Sequence, residues 1–187
     1  PASMFAFRFY GGIGMPYGNS TVLPYIKQYF VGGAYSIRGW RIRQLGPGSY
    51  TDSSRAINLI DRTGDIKLEW NGEYRFDVIQ LFAGALKLKG ALFADAGNIW
   101  LANKSSSYPG GEFAFNKLWR DIAISTGTGA RLDIGGFFVV RFDVAFPVKN
   151  PAYPYNGGWV ANQFFGYRNW ARDNLVYNFA INSALSF

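Results

Sequence analysis

The chain has 187 residues, 49% hydrophobic and 19% aromatic, with 23 Gly, which is enough for one sizeable domain. It has neither Cys nor His, so disulfides, thiolate sites and Ser–His–Asp, Cys–His or His-zinc constellations are excluded within it. The net charge of +7 comes from 19 Lys and Arg against 12 Asp and Glu. Because the basic residues are scattered, with no Lys/Arg run longer than two, they read as a solvated surface plus internally paired charges, not as a nucleic-acid site.

No run of 18 apolar residues exists, and a transmembrane helix is excluded on length. A mean hydropathy near zero does not exclude a β-barrel, in which only alternate residues meet lipid. Outer-membrane barrels also use aromatics at both interfaces, although a soluble all-β domain could share this composition. The chain begins Pro-Ala-Ser, without an initiator Met or a visible signal peptide, and reads as the later part of something longer.

Six strand candidates follow in order. Over about 4–15, Phe5, Phe7 and Phe9 share one face and Arg8 takes the other. Residues 65–78 alternate without error. Ile66, Leu68, Trp70, Tyr74, Phe76 and Val78 face one way, and Lys67, Glu69, Asn71, Glu73, Arg75 and Asp77 the other. Successive strand residues point to opposite faces, and a charged wall behind an aromatic one suits a strand between lipid and a watery lumen. The third candidate, about 85–100, sets Leu86, Leu88, Leu92, Ala94 and Ala96 against Lys87, Lys89, Phe93 and Asp95. The fourth, about 120–133, sets Ile122, Ile124 and Leu132 against Ser125, Arg131 and Asp133. The fifth, about 137–148, sets Phe138, Val140, Phe142, Val144 and Phe146 against Arg141 and Asp143. The sixth, about 174–187, sets Leu175, Tyr177, Phe179, Ile181, Leu185 and Phe187 against Asn174, Asn178, Asn182 and Ser186. Most reach the roughly 9–11 residues of a tilted membrane strand, whereas soluble strands average about 5–6.

The connections alternate in length: long at 16–64, short at 79–84, long at 101–119, very short around 134–136, and long at 149–173. Outer-membrane barrels have short periplasmic turns and longer outside loops, so the expected C-terminus is periplasmic and the 16–64 loop extracellular. Trp100, Trp119, Trp159 and Trp170 lie near the outer strand ends, where an aromatic belt would sit. Six strands are too few to close a barrel, because an open sheet in lipid would leave two edges of unpaired backbone groups. The expectation is therefore a partial barrel, with its earlier strands outside this chain or its edges paired with another chain.

The first long loop contains Val31-Gly32-Gly33-Ala34-Tyr35-Ser36-Ile37-Arg38-Gly39-Trp40. Phe93-Ala94-Asp95-Ala96-Gly97 lies on the third strand. By parity, Glu73 and Asp95 share the polar face, where a guanidinium's planar fork could pair with both carboxylates. Phe93 on that face would pack against a loop tip, and Gly97 would permit close backbone approach. With these motifs in this order, the chain resembles the BamA/TamA outer-membrane insertase superfamily over essentially its whole length. Ile37, Arg38, Gly39 and Trp40 match the family's Arg-Gly-aromatic tip on a loop that folds back into the lumen. Phe93, Asp95 and Gly97 match its second motif. Glu73 matches a lumenal partner by position, although Glu69 and Asp77 share its face. The run Arg43–Tyr50 looks most like the TamA-like (TamL) proteins of Bacteroidota.

The resemblance implies an all-β antiparallel transmembrane barrel of about sixteen strands, of which residues 1–187 supply the last six; the periplasmic POTRA domains lie elsewhere. It implies protein assembly, insertion or translocation at the bacterial outer membrane, with no cofactor, no metal and no enzymatic activity. The last strand would flank a lateral seam at which a client strand pairs by β-augmentation, with Asn174, Phe179, Ile181, Leu185 and Phe187 as seam and terminal-signal residues. Implied partners are client outer-membrane proteins, lipids including the outer-leaflet glycolipid, the missing strands, POTRA domains and accessory subunits. A two-partner secretion transporter and a passive pore or receptor are the alternatives.

Overall fold

The computed structural model describes residues 3–16, 18–19, 23–51 and 62–183. Its strands are β1 (Ser3–Ile13), β2 (Ile66–Leu81), β3 (Leu86–Trp100), β4 (Ala123–Ile134), β5 (Phe138–Lys149) and β6 (Val176–Ser183). They form one sheet in sequence order, every neighbouring pair antiparallel, with β1 and β6 at its edges. All six expected strands are therefore present. Among the described residues, no helix is long and apolar enough to cross a membrane.

The register explains the two faces. Trp70 pairs with Phe9 and Ala96, so apolar residues line up across strands. Phe5, Phe7 and Phe9 are 68–72% exposed, and Leu92, Phe142, Phe179 and Ile181 are exposed on the same apolar face. On the opposite face, Glu69, Glu73, Asp95, Ser125, Arg131, Asp143 and Asn178 are all buried. An exposed apolar face backed by a covered charged face is the arrangement of outer-membrane barrel strands.

The long and short connections alternate as the strand spacing predicts. The β2–β3 connection is one 3-10 turn, Phe82–Gly84. At β4–β5, Gly135 and Gly136 both take positive φ (62° and 72°), which glycine tolerates without a Cβ clash. The β2 alternation breaks at Val78: Asp77 pairs with Lys89 but Ile79 with Leu88, leaving Val78 in a bulge. The strand then continues to Leu81 instead of turning at 79.

Three expectations need correction or fall outside the description. Asn174 is not a strand residue. It ends a short helix, α2 (Trp170–Asn174), where its Nδ2 donates to the Trp170 carbonyl at 3.0 Å and the Tyr167 hydroxyl at 2.9 Å. Local side-chain bonding of this kind competes with an extended backbone, and β6 starts only at Val176. Trp100 and Trp170 are buried, not displayed in a belt. Trp100 packs edge-on against Phe113 and donates to Asp121, while Trp170 sits among Phe146, Phe164 and Phe165. Trp119 and Trp159 remain exposed. Leu185 and Phe187 lie outside the described residues.

The hydrophobic core lies between sheet and loop. Val31, Ile37, Trp40, Leu45, Ile99 and Ala123 form one buried cluster, so the segment 31–45 is packed onto the sheet's polar face. Burying each large aliphatic side chain contributes about 1.5–3 kcal/mol, which offsets the entropy of ordering the loop.

Candidate functional site

The loop tip is a self-closed turn. The Gly33 amide donates to the Trp40 carbonyl at 2.8 Å, Ser36 N to Gly33 O at 3.1 Å, and Arg43 N to Val31 O at 2.9 Å. Gly32, at φ 103°, is required here because a Cβ would lie 2.2 Å from the Arg41 carbonyl oxygen. The closed turn projects Arg38 onto β2 and β3.

Arg38 carries the site. Its Nε and Nη2 donate to the two Asp95 oxygens at 2.8 Å each, a bidentate fork, and its backbone amide adds a third bond at 3.0 Å. Its Nη1 donates to Glu73 at 2.6 Å and lies 3.8 Å from Asp143. The guanidinium carbon stands 3.5 Å from the Phe93 ring centre, a cation–π contact. Burial alone would lower the Arg38 pKa, but the hydrogen bonds and charges of Asp95 and Glu73 outweigh it and hold the pKa above its ordinary value. The side chain is 4% exposed.

A second buried arginine completes the cluster. Arg131 donates to Glu73 at 3.2 and 3.0 Å and to Asp143 at 2.5 Å. Arg141 donates to Asp143 at 3.2 Å, and Arg75 to Glu73 at 2.7 Å. Glu73 and Asp143 thus each receive several guanidinium donors, which is how buried charges are retained without prohibitive desolvation cost.

Two glycines permit the close approach. Gly39 N donates to Ser125 Oγ at 3.2 Å, and a Cβ at Gly39 would meet Ser125 Cβ at 2.3 Å. Gly97, at φ 153°, would set a Cβ 2.2 Å from the Leu68 carbonyl oxygen and 3.1 Å from Ile37 Cδ1.

The loop tip is bonded to every strand. Arg8 on β1 donates to the Tyr35 carbonyl at 2.5 Å, and Asn71 on β2 to the Ser36 carbonyl at 2.9 Å. Asp95 on β3 and Ser125 on β4 accept from Arg38 and Gly39. Arg141 on β5 donates to Ala34 O at 3.5 Å, and Asn178 on β6 to Arg38 O at 2.9 Å. A flanking cluster joins Glu69 to Ser36 Oγ at 2.7 Å, to Lys67 at 2.9 Å and to Arg8.

Ile37, Arg38, Gly39, Trp40, Glu73, Phe93, Asp95 and Gly97 are brought together in the structure. Phe179 and Ile181 do not join them; their side chains are exposed on the outer face of β6. Arg131, Asp143, Ser125, Asn71, Tyr35 and Asn178 are additional members of the site. Parity had placed Arg131, Asp143, Ser125, Asn71 and Asn178 on the polar face, but nothing local pointed to the loop as their partner.

A sheet with an apolar outer face and a charged inner face wrapped on a re-entrant loop is a segment of an outer-membrane-type β-barrel. A family model described as the Omp85 superfamily domain matches residues 2–168, and the chain belongs to the Omp85 superfamily, which takes in the BamA/TamA relatives. It is similar to the outer membrane protein assembly factor BamA of Neisseria meningitidis serogroup B, with 31% identity over 151 residues, covering 74% of this chain and 18% of that protein. The chain thus spans less than a fifth of that curated relative's length. No solved structure matches it.

Proposed function

We propose that this chain supplies part of an outer-membrane barrel that assembles or inserts proteins, working through a lateral seam flanked by β6 and a lumenal loop locked by Arg38. The observation that carries the reading is the buried Arg38–Asp95–Glu73 constellation. Its chemistry is structural, positioning a loop inside a barrel, and it presents no activated nucleophile or acid–base pair. We assign it no enzymatic role, cofactor or metal.

On this reading the remaining strands and POTRA domains come from other parts of a longer protein. The polar face is the lumen, the C-terminal end of β6 points to the periplasm, and the 16–64 loop enters from outside. Partners are unfolded outer-membrane clients, accessory assembly subunits and membrane lipids including the outer-leaflet glycolipid; nucleic acid is not among them. We retain the TamA-like branch for the 43–50 run. Part of that run is bound to the sheet, with Gly48 N donating to Ile99 O at 2.8 Å and Asn98 to Gly48 O at 2.9 Å.

The test is client assembly by the full-length protein in proteoliposomes, comparing wild type with Arg38→Ala. Slowed acquisition of client protease resistance by a variant that still forms a barrel is the expected result. Normal assembly by that variant would remove the reading. A steady, solute-sized conductance without client assembly would identify a passive pore, and export of one dedicated client a two-partner transporter.

A further inference from the structure

Edge strand β6 is held differently from its neighbours. Its inward positions are Val176, Asn178, Ala180 and Asn182, which offer small or polar side chains where β2 and β3 present Glu73, Phe93 and Asp95. It pairs only with β5 among the described strands, from Ala145↔Val176 to Phe138↔Ser183. Yet two loop residues reach it. The single hydroxyl hydrogen of Tyr35 is shared between the Ile181 carbonyl at 3.1 Å and the Asn182 side-chain oxygen at 3.0 Å. The buried Asn178 carboxamide donates to the Arg38 carbonyl at 2.9 Å.

We infer that Tyr35 and Asn178 are positioning residues that latch β6 to the loop tip, so that movement of the tip loosens β6. The inference rests on the reading of β6 as one side of the seam. Arg38 is the shared element. Its guanidinium fixes the tip to β2 and β3, while its carbonyl holds β6 through Asn178. The dependence runs one way. Undocking the tip by removing the Arg38 side chain also withdraws the carbonyl that holds Asn178, whereas removing the Asn178 amide leaves the charge cluster intact. Tyr35 closes the latch further along β6, where the Ile181 carbonyl and the Asn182 side-chain oxygen are its acceptors.

The latch accounts for how a strand with little inward apolar packing stays in place. It also gives the loop control over an edge several strands away, through hydrogen bonds that can be broken singly at modest cost.

The test is hydrogen exchange of the β6 amides, 176–183, in the full-length protein in lipid. The variants are Tyr35→Phe, Asn178→Ala and the pair together, with the β2–β3 amides as internal reference. The double variant is expected to exchange its β6 amides about tenfold faster or more, as loss of two hydrogen bonds of ordinary net strength implies, with the β2–β3 amides unchanged. Tyr35→Phe alone, which removes one oxygen and nothing else, is expected to give a smaller increase centred on 180–183, and it remains informative should the double variant fail to fold. Wild-type exchange of β6 in these variants would overturn the latch. Faster β6 exchange alongside normal client assembly by Arg38→Ala would leave the latch standing and remove the insertase reading instead.

Discussion

Arg38 and Asp95 are joined by three hydrogen bonds, two from the guanidinium and one from the Arg38 backbone amide, all at 2.8–3.0 Å. The backbone bond matters as much as the fork. It places the Asp95 carboxylate against the main chain of the loop, so Asp95 fixes where the loop runs as well as neutralising its charge.

Arg38→Ala is expected to undock the loop, because removing one partner of a buried pair costs about 3–5 kcal/mol. Limited proteolysis within 25–51 reads this directly. Arg38→Lys falls between wild type and Ala, since an ammonium keeps the charge but cannot reproduce the planar fork. Equal protease resistance in all three proteins would show that the pair does not hold the loop.

Glu73 accepts from Arg38, Arg131 and Arg75. Glu73→Gln therefore leaves several guanidiniums short of a counter-charge and lowers the melting temperature. In a double-mutant cycle with Arg38→Ala, the two effects are expected to be non-additive by about 0.5–3 kcal/mol. Strict additivity would mean that the two residues act separately.

Gly97→Ala must place a methyl 2.2 Å from the Leu68 carbonyl oxygen, a backbone atom that cannot swing aside. A loss of about 1–3 kcal/mol is expected. Gly11→Ala is the control, since its Cβ would find nothing nearer than 3.6 Å. Thermal unfolding of the two variants should separate clearly, and similar midpoints would contradict the close-approach role.

Lys149 is buried, with its ammonium donating to the carbonyls of Trp119, Arg120 and Ile122 at 2.6, 2.8 and 2.8 Å. These carbonyls belong to the turn around the short helix α1 (Leu118–Asp121). Lys149→Met keeps the aliphatic stem and leaves the carbonyls without their donor, a loss of at least about 1–3 kcal/mol. The expected signature is faster hydrogen exchange confined to 118–123, with the Arg38 cluster unaffected.

Much of this arrangement is legible from alternation alone. The β2 pattern assigns Glu73 and Asn71 to one wall, and the same parity puts Asp95, Arg131, Ser125 and Asp143 beside them across the register. The loop motif then supplies the missing cation. What alternation cannot reveal is where it stops. The bulge at Val78 keeps every residue apolar or polar as before and shifts only the pairing. Asn174 has strand parity, but its side chain bonds its own helix turn. Trp100 and Trp170 have the composition of a belt and are covered by Phe113 and by Phe164 and Phe165, neighbours far from any periodic signal. The Tyr35–Ile181 contact spans 146 residues, so no local pattern could announce it.

The contact of the loop tip with all six strands has a consequence for error-checking. A slip of one residue in any strand turns its contact residue to the opposite face. A misregistered β1 withdraws Arg8, a misregistered β4 withdraws Ser125, and a misregistered β6 withdraws Asn178. The tip therefore behaves as a key cut for six tumblers: it seats fully only in a sheet whose strands are all correctly aligned, and its seating is a record that they are.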